Sequence, residues 1–442
     1  MAMNIILLSG GSGKRLWPLS NEVRSKQFLK IFRKGDGTRE SMVQRMYRMI
    51  KKVDSTARIT IATSKNQIPQ IQSQIGNDVR ISVEPSRKDT FPAIALAVAY
   101  LTQNGVDRDE PVVVCSVDPY VEEDYFQCLK ELSDEAGRDG AANLTLMGIE
   151  PDHPSEKYGY IIPTSTEHLS SVSGFKEKPD TETAEQYIAS GALWNGGVFA
   201  FKASYVLNLA DSLLGSCEYQ ELYENYGSFQ KISFDYAVVE KEASIHVIRF
   251  HGRWKDLGTW NTFTEGMEVA VTGNAVTDDC ENTHMINELS IPLVALGINN
   301  AVIVATPDGI LVSDKKKSSN LKDYVSDQRP MYERRSWGEY RVLEYKVCGQ
   351  QSSLTKELII AHEQHISYQR HKHRTEVWTF VEGNGELVLE DQVIWATRGD
   401  VAVIKAGMKH GIKAVGGELH IIETQIGDEL TEDDIERLDW NW

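Results

Sequence analysis

The densest chemistry in the sequence lies near its start, where Gly10-Gly11-Ser12-Gly13-Lys14-Arg15 follows the apolar run Asn4–Leu8. Glycines let a backbone approach phosphate oxygens and turn successive N–H groups toward them. Arg15 and, further along, Lys26 supply the positive charge that a triphosphate attracts. Two other phosphate loops are excluded by spacing. The pattern GxxxxGK[ST] is absent, and Leu16 stands where GxGxxG requires a third glycine after Gly11 and Gly13. ATPase and dehydrogenase readings of the loop fall with them. The bland alternative is a tight turn whose basic residues face solvent. A loop leaving a strand of an α/β sheet is where ligands usually bind, and this favours the phosphate reading.

The surrounding pattern says what positions these residues. Asn4–Leu8 is a continuous apolar run ending in glycines, which predicts a buried strand entering a loop. Ser41–Val53 carries Met42, Val43, Met46, Met49, Ile50 and Val53 at helical spacing, with Ser41 as N-cap. Arg58–Thr63, Val79–Val83 and Pro111–Ser116 predict strands, and Thr90–Leu101 a buried helix with Pro92 near its start. Strands alternating with helices predict a doubly wound, mostly parallel α/β sheet over residues 1–265. Short β-like pieces follow at Pro292–Leu296, Ala301–Ala305 and Gly309–Val312, a small β-rich connector read as a left-handed β-helix fragment. The polar stretch Lys315–Arg335 reads as a linker helix, closing a connector over 266–335. Residues 336–442 repeat strand patterns, as in Trp378–Val381, Gly385–Leu389, Val401–Ile404 and Leu419–Glu423, punctuated by Gly383, Gly385, Gly399 and Gly407. They predict an antiparallel barrel. The tail Thr431–Leu438 reads as a short acidic helix capped by Thr431.

Composition narrows the function classes. The 442 residues are 41% hydrophobic and 25% charged, and the formal net charge is −17. So acidic a chain is unsuited to neutralising nucleic-acid phosphates non-specifically, so no nucleic-acid partner is expected. The five cysteines, Cys115, Cys128, Cys217, Cys280 and Cys348, form no CxxC pair, which suits reduced thiols rather than a disulfide framework or zinc site. Met1–Leu8 lacks the basic leader and long apolar core of a signal peptide, and no apolar run is long enough to span a bilayer. A cytoplasmic location without membrane contact is the expectation.

Gly10–Phe28 (GGSGKRLWPLSNEVRSKQF) closely resembles the signature of the mannose-1-phosphate guanylyltransferases, sugar nucleotidyltransferases with a Rossmann-like fold. Further segments resemble that family in its order: Glu84–Leu96 (EPSRKDTFPAIAL), Val117–Asp118, Tyr158–Ile161, Phe175–Pro179 (FKEKP), Trp194–Gly197 (WNGG), Phe234–Lys241 (FDYAVVEK) and Trp254–Trp260 (WKDLGTW). Single motifs arise by chance; seven in order do not. The resemblance implies transfer of GMP from GTP to mannose 1-phosphate. It implies nucleotide contacts from Leu8, Gly10, Gly11, Gly13, Lys14, Glu84, Pro85, Arg87 and Asp89, and catalytic charge from Arg15, Lys26 and Lys178. Asp118 and Asp256 become ligands for Mg2+, a hard cation that prefers oxygen, and Gly159, Glu177 and Asn195 become sugar contacts. The same resemblance implies a homo-oligomer, a dimer or larger.

Three departures lie near this site. Asp89 stands where the family usually has Asn, and a carboxylate can accept from both N1–H and N2–H2 of guanine. Asp118 is followed by Pro119 and Tyr120 rather than His, and Ser25 replaces the proline before the loop lysine. Another hexose or heptose 1-phosphate is therefore the alternative substrate. In the C-terminal region, His371-x-His373-x-x-Glu376 followed by His410 looks like a cupin metal site suited to zinc, manganese or iron. The region resembles the phosphomannose-isomerase half of bifunctional family members. His410-Gly411 replaces the family's His-Arg, Lys405 its proline, and the chain ends Leu438-Asp439-Trp440-Asn441-Trp442. The missing basic groups predict isomerase activity that is absent or weak. A working isomerase half and a non-catalytic sugar-nucleotide sensor are the competing classes.

Overall fold

The computed structural model describes residues 2–11, 14–21, 24–267, 269–325 and 330–442, with the backbone alone for Lys14 and Cys348. Two compact units emerge. One comprises the chain to Leu16, Ser25–Ala270 and Lys315–Ser319; the other comprises Trp17–Arg24, Val271–Asp314 and Asn320–Trp442.

The first unit is built on nine strands: β1 (Asn4–Leu8), β2 (Arg58–Ser64), β3 (Arg80–Glu84), β4 (Pro111–Ser116), β5 (Leu144–Ile149), β6 (Tyr160–Pro163), β7 (Leu169–Lys176), β8 (Leu193–Lys202) and β9 (Ile245–Phe250). Their order across the sheet is β3-β2-β1-β4-β8-β5-β9-β7-β6. Strands β1 to β4 are mutually parallel, while β8 runs antiparallel to both β4 and β5. The expected α/β sheet is therefore mixed rather than mostly parallel. Alternation along single strands explains its two covered faces. Val113 and Cys115 of β4 enter one core with Ile5 and Leu7, whereas Val112 and Val114 enter the opposite core with Ile6.

Helix α1 (Met42–Val53) covers the first face with Val43, Met46 and Ile50. It starts where the sequence predicts, because Ser41 accepts from the Gln44 N–H and the Gln44 side chain returns the bond to Ser41, a capping box. Helix α2 (Ile68–Ile75) follows β2. Helix α3 (Thr90–Gln103) lies on the second face and is apolar nearly all round, as a helix buried between layers must be. None of the helices among the described residues is long and apolar enough to cross a membrane.

In the second unit, Val271–Gly273, His284–Asn287 and Ala301–Thr306 pair in parallel, as do Ala275–Asp278 and Leu293–Leu296. Such stacked parallel rungs are what a β-helix fragment requires. Lys317–Asp323 is a 3-10 segment and Tyr332–Arg335 a strand, so the linker is not one helix; residues 326–329 of that expectation lie outside the described residues. The C-terminal region curls into a half-barrel around Trp378, Phe380, Leu354 and Ile421. It is consistent with a cupin.

Two local expectations change here. Trp378–Val381 and Gly385–Leu389 belong to one long strand, Arg374–Leu389. Gly383 is not a turn residue but sits at an irregularity within that strand, at φ +82°, where a Cβ would lie 2.1 Å from the Glu418 carbonyl oxygen. The tail is a 3-10 turn, Glu432–Asp434, followed by the short strand Glu436–Arg437; Thr431 occupies the cap position but makes no side-chain capping bond, its hydroxyl donating to Glu429 instead.

Candidate active site

The loops that leave the carboxyl ends of β1, β2, β3 and β4 all open on one side of the sheet, around a cavity of about 600 Å3. Leu8, Gly10, Gly11, Glu84, Pro85, Arg87 and Asp89 line it. Gly13 and the Lys14 side chain lie outside the described residues. Arg87 donates to the Gly11 carbonyl at 3.4 Å, tying the β3 loop to the glycine loop. Burial pushes the Glu84 carboxyl upward, opposed by the Tyr226 hydroxyl, which donates to it at 2.9 Å.

Asp89 caps α3 by accepting from the Thr90 N–H at 2.8 Å. Its backbone stands at φ 70° and ψ −171°, a region that costs a residue with a side chain about 1–3 kcal/mol and recurs at ligand clamps. One carboxylate oxygen of Asp89 is thus engaged by the helix it starts.

The two expected metal ligands come together through a short antiparallel ribbon. Pro119–Val121 pairs with Trp254–Asp256 so that Asp256 faces Pro119, next to Asp118. Lys26 Nζ lies 2.6 Å from Asp118 Oδ2, and the Ser116 hydroxyl donates to Asp118 Oδ1. Burial works against the Asp118 charge, but Lys26 and Ser116 hold its pKa below the usual carboxylate range. Asp256 goes the other way: burial, and then the Asp118 charge, push it up, with Lys26 and Arg15 opposing. Arg15 is exposed. Two oxygen donors whose charges repel each other, in a partly buried place, fit a hard divalent cation.

Beneath Lys26 lies a buried polar network that the sequence reading missed. Gln67 donates to the Ser25 hydroxyl at 2.8 Å and accepts from Thr63 at 2.6 Å and from Gln27 at 3.3 Å. Gln27 also reaches the Ser9 carbonyl at 3.3 Å. Ser25 therefore has a partner that a proline would lack. The network joins the Ser9 end of the glycine loop to the turn carrying Lys26. Gln67→Leu strands several buried polar groups, so it is expected to cost about 1–3 kcal/mol of stability. It is also expected to lower turnover roughly tenfold through a misplaced Lys26, as read by urea unfolding and steady-state kinetics.

The expected sugar contacts cluster around β6 to β8. Asn195 donates its backbone N–H to the Gly159 carbonyl at 2.8 Å. Gly159 is required by its own neighbours: a Cβ there would meet Glu177 Oε2 at 2.5 Å and Phe175 Cζ at 2.7 Å. A side chain at this position would therefore displace Glu177 and Phe175. Lys178 lies at φ +46° and its ammonium is 2.5 Å from Glu177. The Glu177 carboxylate raises the Lys178 pKa despite burial, which acts against the charge. Asp235, Lys231 and Lys65 to Gln67 also line the cavity. They had no role in the sequence reading; Asp235 stood inside a recognised segment, FDYAVVEK, which was the available signal.

In the barrel, ligand atoms of His371, Glu376 and His410 lie within 4.8 Å of one another and are buried. This cluster could coordinate a divalent ion. His373 is not brought into it: its ring is half-exposed, 3.5 Å from Asp428. Other groups are. Arg374 donates to Glu376 at 2.9 Å and lies 3.3 Å from His371 Nε2, while Gln369 reaches the same nitrogen at 3.3 Å. Burial and the charge of Glu376 push the Glu423 carboxyl above its ordinary range. Arg335, Lys356, Arg374 and Arg437 line the adjoining cavity, so basic groups are present from positions other than those expected.

Comparison with known proteins bears on both regions. Residues 4–272 match the nucleotidyl transferase family, and residues 323–440 match the mannose-6-phosphate isomerase C-terminal family. The xanthan biosynthesis protein XanB of Xanthomonas campestris pv. campestris (strain B100) is 32% identical over 98% of this chain and 97% of its own length. A mannose-1-phosphate guanylyltransferase of Klebsiella pneumoniae is 29% identical over 98% of each chain. The crystal structure of a mannose-1-phosphate geranyltransferase from Thermus thermophilus superposes with a TM-score of 0.63 at 27% identity, over 73% of this chain and 98% of that one.

Proposed function

Since this chain belongs to the mannose-1-phosphate guanylyltransferase family of sugar nucleotidyltransferases, with a C-terminal domain of the mannose-6-phosphate isomerase type, we propose that it transfers GMP from GTP to mannose 1-phosphate, forming GDP-mannose and pyrophosphate. The observation that carries the reading is the cavity at the ends of β1 to β4, lined by the glycine loop and the β3 loop. The two aspartates joined through the ribbon lie at the neighbouring end of β4.

The chemistry asks little of any one side chain. A phosphate oxygen of the sugar 1-phosphate attacks the α-phosphorus of GTP, the bond to the β-phosphate breaks, and pyrophosphate leaves. That oxygen is already ionised at neutral pH, so no residue has to remove a proton. Positioning and charge neutralisation carry the rate. Gly10, Gly11 and Arg15 hold the triphosphate, and Lys178 meets the sugar phosphate once it is released from Glu177. Glu84, Pro85, Arg87 and Asp89 form the wall for the base. Asp118 and Asp256 would hold Mg2+, which when bound neutralises charge on the attacking and α-phosphate groups.

Room separates this reading from the isomerase. Ligand cavities run from about 300 to 1,000 Å3. The first unit offers about 600 Å3, whereas the cavity lined by Arg374 and Glu376 holds about 90 Å3. This supports placing turnover in the first unit. The test is pyrophosphate release by the purified full chain across a grid of nucleoside triphosphates and sugar 1-phosphates. GTP with mannose 1-phosphate is expected to give the highest kcat/KM. Release from other pairs but not from this one would reject the reading.

A further inference from the structure

Asp235 opens a π-helical turn, Asp235–Val239, in which the Glu240 N–H donates to the Asp235 carbonyl at 3.0 Å. Such turns are rare and recur at functional sites. The approach to Asp235 is stitched to the wall that holds the base. The Ile232 N–H donates to Lys88 at 3.1 Å, the Phe91 N–H to Ile232 at 3.2 Å, and the Phe234 N–H to the Thr90 hydroxyl at 2.7 Å. On its other side, Asp235 Oδ1 accepts from Asn195 Nδ2 at 2.6 Å. That bond turns the Asn195 carbonyl oxygen toward the Gly197 N–H, from which it accepts at 3.1 Å.

The carboxyl therefore sits where the nucleotide cavity, which it lines, meets the group Glu177, Lys178 and Asn195. Its second oxygen, Oδ2, accepts no hydrogen bond among the described residues. It is not sealed off among the buried atoms, so it is available to a donor on a molecule in the cavity that Asp235 lines. Burial and then Glu177 push this carboxyl up to about 6, opposed by the Asn195 hydrogen bond.

We propose that Asp235 determines sugar specificity, with Oδ1 fixing Asn195 and Oδ2 accepting a hydroxyl of the hexose 1-phosphate. This rests on the guanylyltransferase reading above. A hexose hydroxyl is a donor of the right kind, and hydrogen bonds on both sides of Asp235 place it. The carboxylate selects among epimers because one hydroxyl orientation reaches Oδ2 and the other leaves it unpaired.

Asp235→Asn separates the two roles. Its side-chain oxygen can still accept from Asn195, while the second position changes from acceptor to donor. The full chain is assayed for pyrophosphate release with GTP and with mannose or glucose 1-phosphate. The expected result is a roughly tenfold or larger rise in KM for mannose 1-phosphate, KM for GTP within about twofold of wild type, and a smaller preference for mannose over glucose 1-phosphate. Asp235→Ser, which is too short to hold Asn195, is expected to lose more in the same direction. An unchanged sugar KM in Asp235→Asn would overturn the proposal. So would an equal rise in both KM values, because that places the carboxyl on the nucleotide or on the fold. If the wild-type chain itself releases no pyrophosphate from any sugar 1-phosphate, it is the guanylyltransferase reading that fails.

Discussion

Asp256→Asn is expected to lower pyrophosphate release about a thousandfold while leaving the fold as stable as wild type or more so. The loss follows from the place of the carboxylate. The ribbon of Trp254–Asp256 on Pro119–Val121 brings Asp256 beside Asp118, and with one carboxylate gone a hard cation loses half of its protein ligands. The stability gain follows from the charge. Burial and Asp118 hold the Asp256 pKa above its ordinary value, so the fold disfavours the ionised form. A carboxyl with a raised folded pKa contributes stability below its unfolded pKa and loses it as pH rises through the folded value. Well below about pH 4, Asp256 is protonated in both states and the variant should match wild type. At pH 7 the variant should melt at the same temperature or higher. Asp118→Asn should behave differently, because Lys26 loses its partner at 2.6 Å. An active Asp256→Asn enzyme, or one that melts well below wild type at pH 7, would refute this account. The double variant should be little slower than Asp256→Asn alone, since residues acting as a unit are not additive.

Arg374→Leu is expected to destabilise the barrel by about 3–5 kcal/mol, the typical result of stranding one member of a buried ion pair. Arg374 and Glu376 are 4% and 1% exposed. The guanidinium donates to Glu376 Oε1 at 2.9 Å and to the Thr431 carbonyl at 2.8 Å, so it also anchors the C-terminal turn. Without it, Glu376 keeps Trp378, Gln425 and the two histidines but also faces the carboxyl of Glu423. Thermal unfolding should show a midpoint lower by roughly 10 °C. A divalent ion on His371, Glu376 and His410 would replace the missing charge. Added zinc or manganese should therefore recover part of the midpoint, and no recovery would argue that the cluster is not a metal site.

The legible parts of this protein were those fixed by neighbours in the chain. Ser41 and Gln44 are three residues apart and close a capping box wherever the helix lies. The continuous apolar run Val112 to Cys115 predicted a buried strand, and it is buried on both faces because successive side chains face opposite ways. Leu8, Gly10, Gly11 and the Glu84–Asp89 segment were legible as a group, and they line one cavity. The tail failed as a helix because Thr431 gives its carbonyl to Arg374 and Asp434 accepts from the backbone of Lys372 and His373. Those tertiary hydrogen bonds outweigh local helix signals.

What the sequence determined by itself was a run of strands and helices, whose local geometry repeats with fixed periods, and a glycine loop after the first strand. The order of the expected base segment, first aspartate, sugar segment and second aspartate came from resemblance to the family. Tertiary structure decided which of those groups share a place. It set Asp118 beside Asp256, put Ser25 on Gln67, joined Asp235 to Asn195, and admitted Arg374 rather than His373 to the histidine cluster. Each of these depends on strand order and on which face a side chain takes. A one-residue change of position along a strand reverses that face, and no spacing rule links residues so far apart in the chain.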